Sequence, residues 1–209
     1  MKKTVPILYW ILRAILGSIF MIIYRPKIYG KENLKITGPV IIAGNHMHFF
    51  DQCVPIICTK RGVHYMAKKE YFDNKLTKWF FKGVGCISVN RKEKDNEAVN
   101  QALEVLRDGG AIGIFPEGTR NKTDKPLLPF KFGAVSLAKK TGAYIIPFGI
   151  SGKYKINGKL TVKFGKPFKV ETDDLETANK KLMQEILSLK GDKNENIWHI
   201  RHHNNRRQP

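Results

Sequence analysis

The sequence predicts a single α/β domain preceded by an N-terminal membrane helix. Short apolar runs that are typical of buried strands alternate with amphipathic helical patterns over most of the chain, and one long apolar segment precedes them. A length of 209 residues suits one domain, and a hydrophobic content of 42% is sufficient for a core and too high for a disordered polycation. We predict a membrane helix at 1–26, a folded domain at 27–190 and a basic tail at 191–209.

The charge balance predicts an anionic partner. Lysine and arginine total 37 against 18 acidic residues, so the formal charge is +19. Nucleic acid, the acidic face of a membrane and a phosphorylated or acidic-protein substrate all fit this charge.

Cys53, Cys58 and Cys86 are odd in number, lie in apolar runs and form no C-x-x-C pair. This pattern argues against a disulfide framework or a zinc site and favours a reducing cytoplasm.

The N-terminal apolar segment covers residues 7–24 and contains one charge, Arg13. As a helix it would reach roughly 27 Å, just short of a hydrocarbon core of about 30 Å. Basic residues flank both ends, and they follow the segment directly where a signal peptide would have a cleavage site. We therefore expect a monotopic helix with both ends in the cytoplasm and Arg13 reaching the lipid headgroups. The alternative is a helix buried in a soluble core.

The rest of the chain predicts alternating strands and helices. Strands are predicted at 40–43, 63–66, 87–89, 111–115, 144–150 and 160–164. Helices are predicted at 53–59, 95–107 and 131–140, and from Asp173 or Asp174 to about Lys190. Ligands of such sheets collect beyond the carboxyl ends of the strands, so the residues directly after each apolar run are the candidate site.

The C-terminal tail contains His199, His202 and His203 in a polar setting without strong periodicity. Metal binding by these histidines is one interpretation, and a frayed, basic chain terminus is the other, which the polar composition favours. We assign the tail no chemistry.

The first core strand is followed by a histidine and, five residues later, by a carboxylate. His46 and Asp51 are about 140° apart on a regular helix, so they can meet only across a turn. We expect Asp51 to supply that turn as the N-cap of the helix at 53–59. A carboxylate bonded to one imidazole nitrogen fixes the tautomer and leaves the other nitrogen as a general base. His48 is a weaker alternative to His46, and a capping aspartate beside an incidental histidine is the structural alternative.

Two later strands are each followed by an arginine. The segment 115–120 reads Phe-Pro-Glu-Gly-Thr-Arg, and the segment 85–91 ends in Arg91. Arginine pairs with phosphate in two-pronged geometry, and Gly118 allows close approach of the backbone to a ligand. The polar stretch that follows, with Lys122 and Lys125, predicts a mobile loop over the site.

These segments together resemble the glycerolipid acyltransferases, and most closely the bacterial 1-acyl-sn-glycerol-3-phosphate acyltransferases. Asn45 and His46 with Asp51 resemble the N-H-x-x-x-x-D box of that family, and 85–91, 115–120 and 146–147 resemble its three later blocks. The resemblance implies a glycerol-3-phosphate acyltransferase-like fold with a mixed central sheet flanked by helices. It also implies that the domain at 27–190 is an acyltransferase domain.

The resemblance implies a role for each site residue. His46, oriented by Asp51, would deprotonate the sn-2 hydroxyl of lysophosphatidic acid, which attacks an acyl thioester to give phosphatidic acid. The residues expected to hold the substrate phosphate are Arg120, Arg91 and Lys68. Glu117 would position Arg120 or the glycerol hydroxyl. The other residues expected to position the substrate are Gly118, Thr119 and Asn45.

The expected partners are the membrane bilayer, lysophosphatidic acid and an acyl thioester of acyl carrier protein or coenzyme A, with no nucleic acid. No metal or organic cofactor is expected, and the expected location is the cytoplasmic face of the membrane. Glycerol 3-phosphate or another lysolipid is the nearer alternative acceptor. A nucleic-acid-binding protein is the distant alternative, motivated by the charge and by the Lys-Trp-Phe-Phe-Lys run at 78–82.

Overall fold

The structure, a computed structural model, describes residues 5–91, 93, 95–156 and 158–191. Its strands are β1 (Lys27–Tyr29), β2 (Val40–Gly44), β3 (Val63–Lys68), β4 (Ile87–Val89), β5 (Ala111–Ile114), β6 (Tyr144–Ser151) and β7 (Thr161–Phe164). Its α-helices are α1 (Ile7–Tyr24), α2 (Cys53–Cys58), α3 (Lys75–Gly83), α4 (Asn96–Arg107), α5 (Gly133–Thr141) and α6 (Leu175–Lys190). The predicted tail lies outside the described residues apart from Gly191.

The strands form one seven-stranded sheet in the order β1-β7-β6-β2-β5-β3-β4. All neighbouring strands are parallel except β6 and β7, which are antiparallel. Ala43 of β2 is in register with Ile114 of β5 on one side and with Pro147 of β6 on the other. The carboxyl ends of the central strands therefore meet at one edge of the sheet.

Helices cover both faces of the sheet, because its central strands are apolar on both sides. Alternate residues of β2 belong to different core clusters: Ile41 packs with α4, α5 and α6, and Ile42 packs with α2 and with Phe20 of α1. All five residues of β2 are buried. The predicted α/β fold with a mixed sheet is confirmed.

Most predicted elements are present with small shifts at their ends, and two were missed. The helix predicted at 131–140 begins at Gly133, and the closing helix is capped by Asp174, whose carboxylate accepts from the Glu176 N–H. The three-residue strand β1 and the helix α3 were not predicted. β1 is too short to show a period, and only its pairing with β7 makes it a strand.

Helix α1 lies along the domain instead of projecting from it. The Tyr9 hydroxyl accepts from the Val63 N–H at 3.1 Å, and Gly17 faces Ile57, whose Cγ2 would lie 2.8 Å from a Cβ at that position. Arg13 donates to the carbonyl oxygens of Ile56 at 2.8 Å and Thr59 at 2.9 Å, at the end of α2. The expectation that Arg13 reaches lipid headgroups is therefore wrong: unpaired carbonyls at a helix C-terminus attract a cation.

Candidate active site

The carboxyl ends of four parallel strands bring the predicted segments to one edge of the sheet. His46 follows β2, the 115–120 segment follows β5, and Arg91 follows β4. Lys68 is the last residue of β3. This edge is where ligands bind in open α/β sheets, because the loops there diverge and leave a crevice.

His46 and Asp51 meet across a tight turn between β2 and α2. His46 Nδ1 lies 2.8 Å from Asp51 Oδ2, and the ring of His46 stacks on that of Phe115 with centroids 4.2 Å apart. Because the partner is a carboxylate, Nδ1 carries the proton and Nε2 is the nitrogen left to accept one. The His46 side chain is 18% exposed and the Asp51 side chain is fully buried. This is the geometry of a general base with an orienting carboxylate.

Asp51 is surrounded by hydrogen-bond donors. Its Oδ2 also accepts from the N–H groups of Met47 at 2.6 Å and His48 at 2.7 Å, and its Oδ1 accepts from the Tyr154 hydroxyl at 2.6 Å. A buried carboxylate needs such partners in place of the water that it has lost. The expectation that Asp51 caps α2 is wrong, because Gln52 occupies the N-cap and the Asp51 carboxylate turns back to the preceding N–H groups.

His48 is placed differently from His46. Its backbone N–H contacts Asp51, while its ring stacks on Tyr154 with centroids 4.2 Å apart and its Nδ1 accepts from the Phe50 N–H at 3.3 Å. The geometry thus favours His46 over His48 as the partner of the carboxylate.

Glu117 holds two backbone N–H groups, one in the turn after β2 and one in the loop before α5. Its Oε1 accepts from the His46 N–H and its Oε2 from the Leu128 N–H, each at 2.8 Å. Burial raises its pKa, against the opposing effect of those two N–H groups. The expectation that Glu117 positions Arg120 or the substrate hydroxyl differs from this arrangement, in which both oxygens hold backbone groups. Glu117 fixes where His46 stands.

Asn45 extends the pairing of β2 with β6. Its side-chain amide donates to the Ile150 carbonyl at 3.0 Å and its Oδ1 accepts from the Ile150 N–H at 2.7 Å. The residue is buried, so the expected substrate contact is replaced by a structural one. Asn45 thereby fixes the start of the turn that carries His46.

The expected phosphate ligands are exposed at the same edge. Arg91 Nη1 donates to the Gly118 carbonyl at 2.9 Å, which joins the 85–91 segment to the 115–120 segment. Gly118 has φ +69°, a left-handed conformation that favours glycine, so its role is to make this turn. Thr119, Arg120 and Lys68 are exposed.

The backbone beside Arg120 is anchored to the turn that carries His46. The Asn121 N–H donates to the His46 carbonyl at 2.6 Å. The Asn121 side chain also closes the loop that follows, by donating to the Lys125 carbonyl at 2.8 Å and accepting from the Thr123 N–H at 2.9 Å. Arg120 therefore stands one residue from a direct contact with His46.

The three cysteines are free and are not activated. Burial raises the pKa of Cys53 and Cys58 to about 11 and that of Cys86 to about 12. At neutral pH these thiols stay protonated and are poor nucleophiles. Among the described residues, no group of three or more His, Cys, Asp or Glu side chains could hold a metal ion.

Tyr154 is the residue of the site that the sequence analysis missed. It follows β6, whose carboxyl end lies at the same edge as that of β2, so the rule that singled out His46 applies to it as well. Its ring contacts Phe20 and Tyr24 of α1, with centroids 6.2 Å and 5.4 Å away. Burial and the nearby Asp51 carboxylate raise its pKa, so the hydroxyl remains a donor.

Comparison with known proteins defines the class of protein to which this fold and site belong. Residues 25–151 match the Acyltransferase family, a range that contains every site residue described above except Tyr154. The chain belongs to this acyltransferase family.

The chain is also similar in sequence to particular members of the family. The chain is 35% identical over 141 residues to the 1-acyl-sn-glycerol-3-phosphate acyltransferase of Bacillus subtilis (strain 168), over 67% of this chain and 68% of that protein. It is 29% identical over 136 residues to a chloroplastic 1-acyl-sn-glycerol-3-phosphate acyltransferase of Brassica napus, over 64% of this chain and 39% of that protein.

A solved structure has the same fold. The crystal structure of the 1-acyl-sn-glycerophosphate (LPA) acyltransferase PlsC from Thermotoga maritima superposes with a TM-score of 0.69 at 21% sequence identity, covering 90% of this chain and 80% of that one.

Proposed function

We propose that this protein transfers a fatty acyl group from an acyl thioester to the sn-2 hydroxyl of 1-acyl-sn-glycerol 3-phosphate, giving phosphatidic acid. The observation that carries the proposal is the 2.8 Å contact between His46 Nδ1 and the buried Asp51 carboxylate in a chain of the acyltransferase family. The names of the relatives support the choice of acceptor.

The residues support direct transfer between the two substrates. His46 Nε2 takes the proton of the sn-2 hydroxyl while the oxygen of that hydroxyl bonds to the thioester carbonyl carbon. The tetrahedral intermediate then collapses, the C–S bond breaks, and the imidazolium returns its proton to the leaving thiolate. Asp51 stabilises the imidazolium between the two steps. The protonated cysteines support a mechanism without an enzyme-bound acyl group.

We assign the substrate phosphate to Arg120, with Arg91 and Lys68 as further cationic groups at the same edge. Arg120 is exposed, and its neighbour Asn121 contacts the His46 carbonyl, which supports a position close to the base. Arginine is suited to this role because its planar fork of donors matches phosphate oxygens.

Mass spectrometry of the products tests the acceptor and the donor together. The purified protein is incubated with lysophosphatidic acid, glycerol 3-phosphate or a neutral monoacylglycerol, each with acyl-acyl carrier protein or acyl-coenzyme A. We expect phosphatidic acid from lysophosphatidic acid, and the active donor identifies the thioester used. Acylation of glycerol 3-phosphate alone would overturn the acceptor, and formation of the same product by His46→Ala at the parent rate would overturn the mechanism.

We further propose that residues 1–26 attach the acyltransferase domain at 27–190 to the cytoplasmic face of the membrane as a monotopic helix. By length and composition α1 is apolar enough to cross a membrane. One side of it contacts the domain from Tyr9 to Tyr24, and the opposite side exposes isoleucines: Ile7, Ile11, Ile15 and Ile22. A spanning helix would lose the contacts of its inner side or carry them into hydrocarbon, which favours a helix that lies in one leaflet.

The topology and the anchor are tested separately. A cysteine at Lys2 (K2C) should resist a membrane-impermeant thiol reagent added outside intact cells, and labelling would overturn the monotopic mode. Replacing Ile11 and Ile15 by serine should release protein from vesicles. Substitutions are preferable to removal of residues 1–25, because Tyr9 and Phe20 are buried against the domain and deletion would expose its core.

A further inference from the structure

Helix α3 has one side attached to the domain and one side without a partner in the part of the chain that the structure describes. Phe81 stacks on Tyr71 with centroids 4.8 Å apart, which fixes the inner side. Leu76, Trp79 and Phe80 follow the i, i+3, i+4 spacing of a single helix face, and they are 75%, 63% and 38% exposed. Three large apolar side chains are thus presented together to the surroundings.

This apolar face of α3 adjoins α1. Gly83 lies on the same helix face as Leu76, seven residues away, and a Cβ at Gly83 would be 2.6 Å from Leu8 Cδ2 of α1. The Leu8 side chain of α1 therefore packs directly on the backbone of α3 at Gly83. The exposed face of α3 therefore lies beside the Ile7 end of α1, where isoleucines are also exposed, and the two apolar faces adjoin.

Basic side chains flank this face of α3. Lys75, Lys78 and Lys82 are all exposed and spaced three and four residues apart, and α3 contains no acidic residue. Lys78 and Lys82 also border an open cleft of about 540 Å³. A row of lysines beside tryptophan and leucine is the arrangement that matches the headgroup layer of an anionic bilayer, with the apolar side chains below it.

We propose that α3 is a second lipid-docking element, which inserts Leu76, Trp79 and Phe80 into the interface of an anionic bilayer beside α1. This inference rests on the membrane attachment proposed above. A single helix lying on a membrane leaves rotation about its own axis free, whereas a second contact beside it removes that freedom. Leu8 and Tyr24 are about 24 Å apart along α1, so the Gly83 end of α3 meets α1 far from Tyr154 and the His46–Asp51 pair.

Fluorescence of Trp79 tests this docking directly in the full-length chain. The three tryptophans are Trp10, Trp79 and Trp198, so the variant with Trp10→Phe and Trp198→Phe reports on α3 alone. With phosphatidylglycerol vesicles that contain brominated acyl chains, we expect a blue shift and quenching of Trp79. Unchanged Trp79 emission while the protein co-sediments with the vesicles would overturn the inference and leave the attachment through α1 intact.

Partitioning of single variants gives a second, independent measurement. We expect Trp79→Ala to bind these vesicles about 10-fold more weakly, because it removes a large apolar side chain from the interface. Tyr29→Ala on the far edge strand β1 is the matched control, because Tyr29 is also a largely exposed aromatic residue; we expect this variant to bind as the parent does. Equal weakening by both variants would overturn the assignment to α3.

The lysines give the electrostatic part of the test. Lys78→Gln should weaken binding to phosphatidylglycerol vesicles about 5-fold and leave binding to phosphatidylcholine vesicles unchanged. Lys140→Gln on α5, on the opposite side of the sheet, is the control. Mixed-sequence DNA that displaces the vesicles and protects Trp79 from quenching would show that a nucleic acid occupies this face instead.

Acyl transfer to a short-chain, water-soluble lysophosphatidic acid separates the two proposals. Trp79→Ala and Lys78→Gln should retain the parent rate on this acceptor, because α3 lies away from the catalytic pair. An inactive parent protein would overturn the proposed function, and quenching of Trp79 would still decide whether α3 docks on lipid.

Discussion

On one side of the candidate active site, His46, Asp51 and Glu117 are held by hydrogen bonds between buried groups, whereas on the other side Arg120 and Lys68 lie exposed at the ends of loops and strands. Asp51 alone has four donors around its two oxygens. The difference follows from what each side would do. Proton transfer needs the donor and acceptor atoms to lie within hydrogen-bond distance. A long cationic side chain, in contrast, can bind a phosphate in several conformations.

The proposed base and the proposed phosphate ligands should therefore respond differently to substitution. Changes on the buried side should lower turnover or stability, since they move a fixed geometry. Changes on the exposed side should affect the use of phosphorylated acceptors and leave the fold unchanged.

The largest expected effect is that of His46→Ala. Turnover should fall roughly 100-fold to 10,000-fold, which is the usual contribution of a positioned acid or base. Rates with lysophosphatidic acid measure it, and circular dichroism checks the fold. His48→Ala is the matched control, because the ring of His48 stacks on Tyr154 and does not contact the Asp51 carboxylate. A greater loss in His48→Ala than in His46→Ala would reverse the assignment of the base.

Arg120→Ala should have the next largest effect. Loss of one charged hydrogen-bonding partner costs about 1.5 to 3 kcal/mol, so kcat/KM for lysophosphatidic acid should fall about 10-fold to 150-fold. Arg91→Ala should behave similarly. The thermal stability of Arg120→Ala should match the parent, since Arg120 is exposed. Equal losses with monoacylglycerol would mean that Arg120 does not bind the phosphate.

Glu117→Gln should destabilise the buried side. The amide can accept one of the two N–H groups that Glu117 now accepts, and its NH₂ then faces the other donor. We expect a loss of about 1 to 2 kcal/mol in the free energy of unfolding and about 10-fold in turnover. Urea denaturation measures the first quantity, with the exposed Glu185→Gln as control. Parent stability in Glu117→Gln would show that the backbone contacts carry little free energy.

Tyr154→Phe should have the smallest effect of the four. It removes the hydroxyl that donates to Asp51 Oδ1 and keeps the ring contacts with α1, so turnover should fall about 3-fold to 10-fold with little change in KM. Tyr24→Phe is the control, because the Tyr24 ring packs against Tyr154 while the hydroxyl bond to Asp51 belongs to Tyr154. A parent rate in Tyr154→Phe would leave this residue with a packing role only.

The sequence by itself determined the α/β class and where the chemistry would gather. Apolar runs marked six of the seven strands, because strands buried on both faces are continuous hydrophobic segments. The strand-end rule led to His46, Arg91 and Arg120, since parallel strands bring their carboxyl ends to one edge. These inferences depend on local residue order and on a general property of sheets.

Outside the His46–Asp51 pair, only the tertiary structure decided what the polar side chains of the site contact. Glu117 and Asn45 turned to backbone groups, Arg13 turned to the end of α2, and Tyr154 joined the Asp51 carboxylate. Each of these four residues has a partner between 43 and 105 positions away in the chain. Buried polar atoms must find partners wherever the packed chain supplies them, and that supply depends on the relative placement of strands and helices. No local pattern in the sequence encodes that placement.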